Sequence, residues 1–227
     1  PDVSLYANYI ESLSKGENIT GTFANNGTSL PPYVSKQKEV GVKYDGGRLG
    51  GSLAFFSTDK PGKLVVNNYV TANGEDRHQG LELSAYGELA KGLRLLGGVT
   101  LLDAKQKNTG SAATEGKRVI GVPRQQANLG VEWDVPQAHG LTLDARAVMT
   151  GASYADNANT LRVSGWTRLD LGVRYLTEVQ GKLLTLRARV DNVANRNYWA
   201  SVGGYPGNGY LVLGAPRTFT LSASVDF

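Results

Sequence analysis

The chain has 227 residues, with 24 Lys+Arg against 20 Asp+Glu and a formal net charge of +4. So small an excess, with no Lys/Arg run, gives no electrostatic footprint for nucleic acid. With no cysteine and only two histidines, His78 and His139, disulfides, thiolate zinc sites and cysteine nucleophiles are excluded, and imidazole chemistry has little material.

Glycine, at 29 residues, is about twice its usual share, and 11 tyrosines accompany it, as in a turn-rich β protein. No stretch approaches the ~18 consecutive apolar residues of a membrane helix. The chain enters strand-like sequence directly after Pro1-Asp2, with no basic-apolar-small leader, so a fragment or processed chain is expected.

Period-two alternation recurs in place of helical periodicity. In chain order it predicts strands near 4–12, 37–45, 49–59, 78–89, 93–104, 126–134, 141–154, 168–175, 183–193 and 219–227, about ten in all. The clearest runs from Gln126 to Asp134, where Ala127, Leu129, Val131 and Trp133 oppose Asn128, Gly130 and Glu132. Tight Gly- or Pro-bearing turns are predicted at 45–48, 90–92, 136–140 and 177–182. Long polar loops are predicted at 14–36, 60–77, 105–123, 155–166 and 196–216.

Short and long connections alternate. In an up-and-down meander that puts every short turn on one rim and every long loop on the other, as in outer-membrane barrels. Tyr44, Trp133, Tyr175 and Phe227 lie on the apolar face near the short turns; Tyr9, Phe55 and Phe219 lie on it near the long loops. Rings at those two levels fit interfacial aromatic girdles. The opposite face carries both charges, among them Glu39, Lys43, Glu82, Arg94, Glu132, Asp144, Arg146, Asp170 and Arg189. Inverting the faces leaves the alternation unchanged, so a soluble sheet would show it too. An apolar face of mostly small residues, short of the bulk a core needs, favours lipid. The expected fold is all-β: a transmembrane antiparallel up-and-down β-barrel of about ten strands.

Several motifs then point the same way. Leu186-Arg-Ala-Arg-Val-Asp-Asn-Val-Ala-Asn-Arg-Asn-Tyr198-Trp199 and Gly214-Ala-Pro-Arg-Thr218 resemble the last two strands of TonB-dependent outer-membrane receptors. Arg77-His-Gln-Gly-Leu-Glu82, Leu101-Leu-Asp-Ala104, Gly121-Val-Pro-Arg124 and Trp166-Thr-Arg-Leu-Asp-Leu171 fit the same family. Ser12-Leu-Ser-Lys-Gly16, Pro32 and Gln37-x-Glu39 add the pattern of its ferric-siderophore branch. The resemblance implies a plugged barrel of 22 strands, of which these would be the last ten. It further implies a ferric siderophore as ligand, with iron present only in that chelate and no resident cofactor. TonB would act through a missing N-terminal region, lipid would surround the wall, and the assembly machinery would recognise Phe227.

No Gly-x-Ser-x-Gly elbow, Walker A loop, Gly-x-Gly-x-x-Gly run or His-Glu-x-x-His is present, and no catalytic residue is expected. Tyr154 to Asn159 offers oxygen ligands without EF-hand spacing, so no metal site is expected. A self-contained ten-strand barrel acting as a passive pore, or as a protease through Asp76-Arg77-His78, is the alternative. For the chelate, the last loop offers Tyr198, Trp199, Tyr205 and Tyr210, with Arg196 beside them. Aromatic rings stack on chelates, and arginine offsets anionic charge. Packing of Tyr198 and Trp199 in the wall or loop is the competing expectation. Arg168, Arg174 and Arg187 are lumen candidates for holding a plug. Arg189 and Asp191 are expected to pair within the wall, Arg217 to anchor the rim, and Asn192 and Asn195 to shape a turn through backbone bonds.

Overall fold

The computed structural model describes residues 2–205 and 208–226, with side chains at all of these except 204, 205 and 208. Ten strands form one antiparallel meander: β1 (Val3–Ser14), β2 (Tyr33–Asp45), β3 (Leu49–Val66), β4 (Tyr69–Ala90), β5 (Leu93–Lys107), β6 (Gln125–Asp134), β7 (Leu141–Thr150), β10 (Trp166–Val179), β11 (Lys182–Asp191) and β14 (Thr218–Val225). Two small hairpins, β8 (Ser153–Tyr154) with β9 (Arg162–Val163) and β12 (Trp199–Tyr205) with β13 (Asn208–Leu213), stand in the loops. β1 and β14 end the sheet on opposite sides and do not pair with each other, so these ten strands do not close on themselves.

The register carries the alternation from strand to strand. Val42 faces Leu53, Leu53 faces Leu83, Leu83 faces Val99 and Val99 faces Ala127. Farther along, Trp133 faces Leu143, Leu143 faces Val173, Val173 faces Ala188 and Ala188 faces Leu221. A one-residue slip anywhere would turn a strand's apolar set to the polar side, so keeping one face apolar fixes the register. Its residues are exposed in the isolated chain, Leu5, Leu83 and Leu221 among them. Tyr44, Trp133, Tyr175, Tyr9, Phe55 and Phe219 all lie on it, as the girdle pattern requires. The outermost membrane-facing positions give way to ion pairs: Glu11 with Lys36, Asp59 and Glu75 with Arg77, Asp103 with Lys105. Those charges end the apolar face toward the long loops. Strands of 10 residues such as β6 match the length a tilted transmembrane strand needs.

The expected loop at 60–77 is instead strand. Both strands run on to Val66 and Tyr69 and reverse at Asn67-Asn68, with φ of 49° and 64°. Two successive positive-φ asparagines make the hairpin turn whose twist matches its strands. Pro61 and Gly62 masked the alternation there, and the register shifts between Gly62 and Leu64. Loop residues 15–32 fold onto this extension, burying Ile19, Leu30, Tyr33 and Val70 with Phe23 and Ala72 against them. The expected strand at 141–154 also breaks, since β7 stops at Thr150 and Ser153 pairs with Val163. Phe227 lies outside the described residues.

Candidate functional site

The polar face of β4 to β11 lines an open recess of about 760 Å³. Two antiparallel neighbours place side chains opposite each other every second residue, so charges on adjacent strands meet. Arg94 grips Asp134 with both terminal nitrogens, at 2.6 and 2.9 Å, and reaches Glu132 at 3.2 Å. The Thr142 hydroxyl donates to the same Asp134 carboxylate at 2.7 Å. Arg189 spans β10 to reach Asp144 at 3.3 Å and bonds Asp191 at 2.8 Å. Arg174 donates to Thr142 at 3.3 Å, while its Nε is buried without a partner. Arg187 is exposed in the recess. These partly solvated pairs individually contribute little stability; together they make a polar, charge-lined wall suited to water.

At the long-loop end the polar face becomes dry. Asp170 is 0% exposed and Asn192 1%. Arg168 bonds the Asp170 carboxylate at 2.9 Å, and the Asn192 N–H donates to it at 2.8 Å. Asn192, held at φ 53°, bonds the backbone of Arg196 and Ala215. Asn195, at φ 49°, accepts the Arg217 N–H at 2.9 Å. Asparagine enters this left-handed region more readily than most residues because its short side chain bonds nearby backbone.

The outer loops interlock. Gln106 donates to the carbonyls of Arg118 and Asn157, both at 2.8 Å. Asn159 accepts the Arg118 N–H and donates to the Arg118 carbonyl, at 2.7 and 3.0 Å. The Gly121 N–H reaches the Tyr154 carbonyl at 2.9 Å. Gly121, at φ 73°, abuts the Val202 carbonyl of β12, where any side chain would collide. Asp156 closes its own turn, accepting from the N–H groups of Thr160 and Leu161 and the Thr160 hydroxyl. Burial pushes its carboxyl up, but these donors outweigh burial and hold it below the ordinary carboxylate value.

A family-wide sequence profile described as "TonB dependent receptor-like, beta-barrel" matches residues 1–193. The chain belongs to this family. It is 41% identical over 232 residues to the ferrichrome receptor FcuA of Yersinia enterocolitica, covering 99% of this chain and 30% of that protein. The ferrioxamine B receptor of Salmonella typhimurium is 30% identical over 224 residues, covering 95% of this chain and 31% of that protein. Among solved structures, BauA, the ferric preacinetobactin receptor of Acinetobacter baumannii, superposes with a TM-score of 0.87 at 40% identity, covering 100% of this chain and 34% of that one. The chain thus spans about a third of the length of these relatives, and it is part of an outer-membrane β-barrel wall.

Within this receptor wall the ligand candidates separate. Tyr198 is 9% exposed; its ring lies 4.4 Å from that of Trp166 and its hydroxyl 3.4 Å from Arg168. Packing accounts for it. Trp199 is exposed, and Tyr210, 60% exposed, lies across the hairpin over Gly203. The side chain of Tyr205 is outside the described residues. Arg196 turns its backbone to Asn192 and leaves its side chain exposed. Of the lumen candidates, Arg174 and Arg187 share the recess, whereas Arg168 belongs to the dry cluster. Arg189 and Asp191 pair as expected; Arg217 ties the rim through its backbone. Asp76 and His78 share the polar face of β4, opposite Lys60 and Thr58, while Arg77 turns the other way to Asp59. The Asp156 oxygens are taken up by their own turn. Sequence reading missed Asp170 as a buried centre and Gly121, Gln106 and Asn159 as loop ties. Only the Arg168-Leu-Asp170 spacing, which puts both charges on one face, hinted at the first.

Proposed function

We propose that this chain is the C-terminal barrel portion of a ferric-siderophore receptor, the last ten of 22 strands. The iron chelate binds at the long-loop side and enters through the lumen. TonB supplies energy through a part of the protein outside this chain, and the assembly machinery recognises Phe227. The observation that carries this reading is the arrangement of one wall: lipid-compatible side chains outside, a charge-lined polar recess inside, and interlocked loops bearing an aromatic hairpin at one end only. A chelate needs a concave site with flat side chains and a few donors. Trp199, Tyr210 and Arg196 supply those on the outer loops, and Tyr205 is added from its place in the sequence. Arg174 and Arg187 have hydrogen-bonding capacity to spare and face where a plug would sit. No bond-making chemistry is required of a receptor.

Receptors for ferrichrome and for preacinetobactin are about equally similar to this chain, at 41% and 40% identity. The shared wall therefore does not select between them. Uptake of ⁵⁵Fe carried by ferrichrome, ferrioxamine B or preacinetobactin, compared in cells with and without the gene, tests the reading. TonB-dependent uptake of one chelate that disappears with the gene is the expected result. Unchanged uptake of all iron chelates, with no iron-starvation induction of the protein, would remove it.

A further inference from the structure

Asp170 and Asn192 are the largest fully buried side chains among the described residues, and the Asn192 backbone N–H donates to the Asp170 carboxylate. A buried carboxylate persists only where donors replace water. Here the donors converge on one oxygen pair. Oδ1 takes the Asn192 N–H at 2.8 Å, and Oδ2 takes Arg168 at 2.9 Å, with Arg189 at 3.7 Å. Asn192 in turn uses its whole carboxamide. Nδ2 donates to the carbonyls of Arg196 at 2.9 Å and Ala215 at 3.0 Å, and Oδ1 accepts the Arg196 N–H at 2.9 Å. Arg196 and Ala215 lie at the two ends of the segment that carries β12 and β13. A single side chain thus pins both roots of that hairpin.

A second set of contacts seats the same roots. Arg168 reaches from Asp170 to the Tyr198 hydroxyl. The Tyr198 ring packs on Trp166 and fills the space where a side chain at Gly214 would stand. Tyr198 immediately precedes β12, and Gly214 immediately follows β13. Among the described residues β12 and β13 pair only with each other, so the ladder of the ten-strand sheet does not hold this hairpin in place.

We propose that Asp170, Asn192 and Tyr198 form a latch of positioning residues that holds hairpin β12–β13, with Trp199 and Tyr210, in its ligand-binding pose. The latch deepens the chelate reading above and rests on it for its consequence, though not for its existence. Pre-organisation raises affinity by removing the ordering cost from the binding step. If the pinned pose falls to about a tenth of the population, apparent affinity falls about tenfold.

The test uses the full-length receptor in outer membranes, with a nitroxide placed at the exposed Val212 through V212C. Asn192→Gly keeps the positive φ free of strain while removing the carboxamide. The barrel is expected to insert at the unsubstituted level, the label to gain a fast-moving component, and half-saturation for ⁵⁵Fe-ferrichrome uptake to rise about tenfold with maximal uptake kept. A purely structural defect would instead lower maximal uptake through fewer receptors. An unchanged label spectrum overturns the latch, whatever uptake does. A mobile label with unchanged half-saturation overturns the hairpin's part in binding. If the unsubstituted receptor takes up no ferrichrome, that chelate fails while the label still decides the latch. Should Asn192→Gly not insert, Gly214→Ala unseats the Tyr198 ring from the other strand, and an immobile label there overturns the proposal.

Discussion

The two rims of this wall are closed by different chemistry. On the short-turn rim the chain reverses through backbone conformation: Gly47 at φ 76°, Gly92 at φ 76°, and Gln180-Gly181 at 55° and 75°. Neighbouring carboxylates assist locally, Asp45 accepting the Gly47 N–H and Glu88 the Gly92 N–H. On the long-loop rim the β3–β4 hairpin reverses locally at Asn67-Asn68, but elsewhere side chains tie segments far apart in sequence, as Asn159 does with Arg118 and Asn192 with Ala215. A rim built from local turns serves assembly, since each turn only has to set the register of its own two strands. A rim built from long-range ties can hold a shaped surface, and its residues can change without disturbing the register.

Breaking one tie on each rim should therefore give different phenotypes. The largest effect is expected from Gly140→Val on the short-turn rim. Gly140 sits at φ 81°, and its added Cβ would drive into the Leu176 carbonyl of β10. A β-branched residue held there costs roughly 1–3 kcal/mol before the collision is counted. Folded receptor should fall severely, read as the heat-modifiable band on unboiled gels. Normal levels of folded barrel would show that this rim has slack the structure denies. Gly121→Ala, on the opposite rim, meets the Val202 carbonyl at φ 73° and is expected to leave the folded band intact. Its effect should be a several-fold rise in half-saturation for chelate uptake, because β12 must move aside. Equal loss of folded barrel in both variants would erase the distinction between the rims.

That distinction also governs what could be read from sequence. Turns at 45–48, 90–92, 136–140 and 177–182 are written in adjacent residues, and the ten strands follow from period two. The sorting of loops to one side needs only parity. The hairpin tip at Asn67-Asn68 was written locally as well, yet Pro61 and Gly62 broke the alternation that would have led to it. For Tyr198 the sequence leaves chelate contact and packing both open, because nothing in its neighbourhood reports Trp166, on which it packs. Asp170 reads as one lumen charge among many until its burial is known. Gly121 reads as turn glycine, whereas its lack of a side chain serves Val202, on a different loop.

A middle-sized effect sharpens the comparison within the long-loop rim. Asn159→Ala removes the bonds to the Arg118 N–H and carbonyl that join the β5–β6 loop to the β7–β10 loop. The Arg118 carbonyl keeps its bond from Gln106, while leaving the Arg118 N–H unpaired costs about 1–3 kcal/mol where water is excluded. The expected outcome is faster amide exchange at Arg118 and Gly121 with strand amides in β5 to β7 unaffected. If the strand amides also exchange faster, the loops contribute to the wall's own stability and the two rims are less separate than drawn.

The smallest effect is a pH response confined to the β8–β9 turn. Asp156 has its folded-state pKa below the ordinary 3.8, because Thr160 and Leu161 donate to its ionised form against the push of burial. A depressed carboxylate pKa stabilises the turn above the unfolded value, and that contribution is lost as pH falls through the folded value. Amide protection at Thr160 and Leu161 should therefore persist at neutral pH and decline below pH 3.8, ahead of any change in the strands. Asp156→Asn should show weak protection at every pH, since it keeps the shape and loses the charge that the N–H groups favour. Protection at Thr160 and Leu161 that stays unchanged through that range, or an Asp156→Asn turn as well protected as the unsubstituted one, would show that backbone conformation alone holds this turn and that the carboxylate bonds add nothing to it.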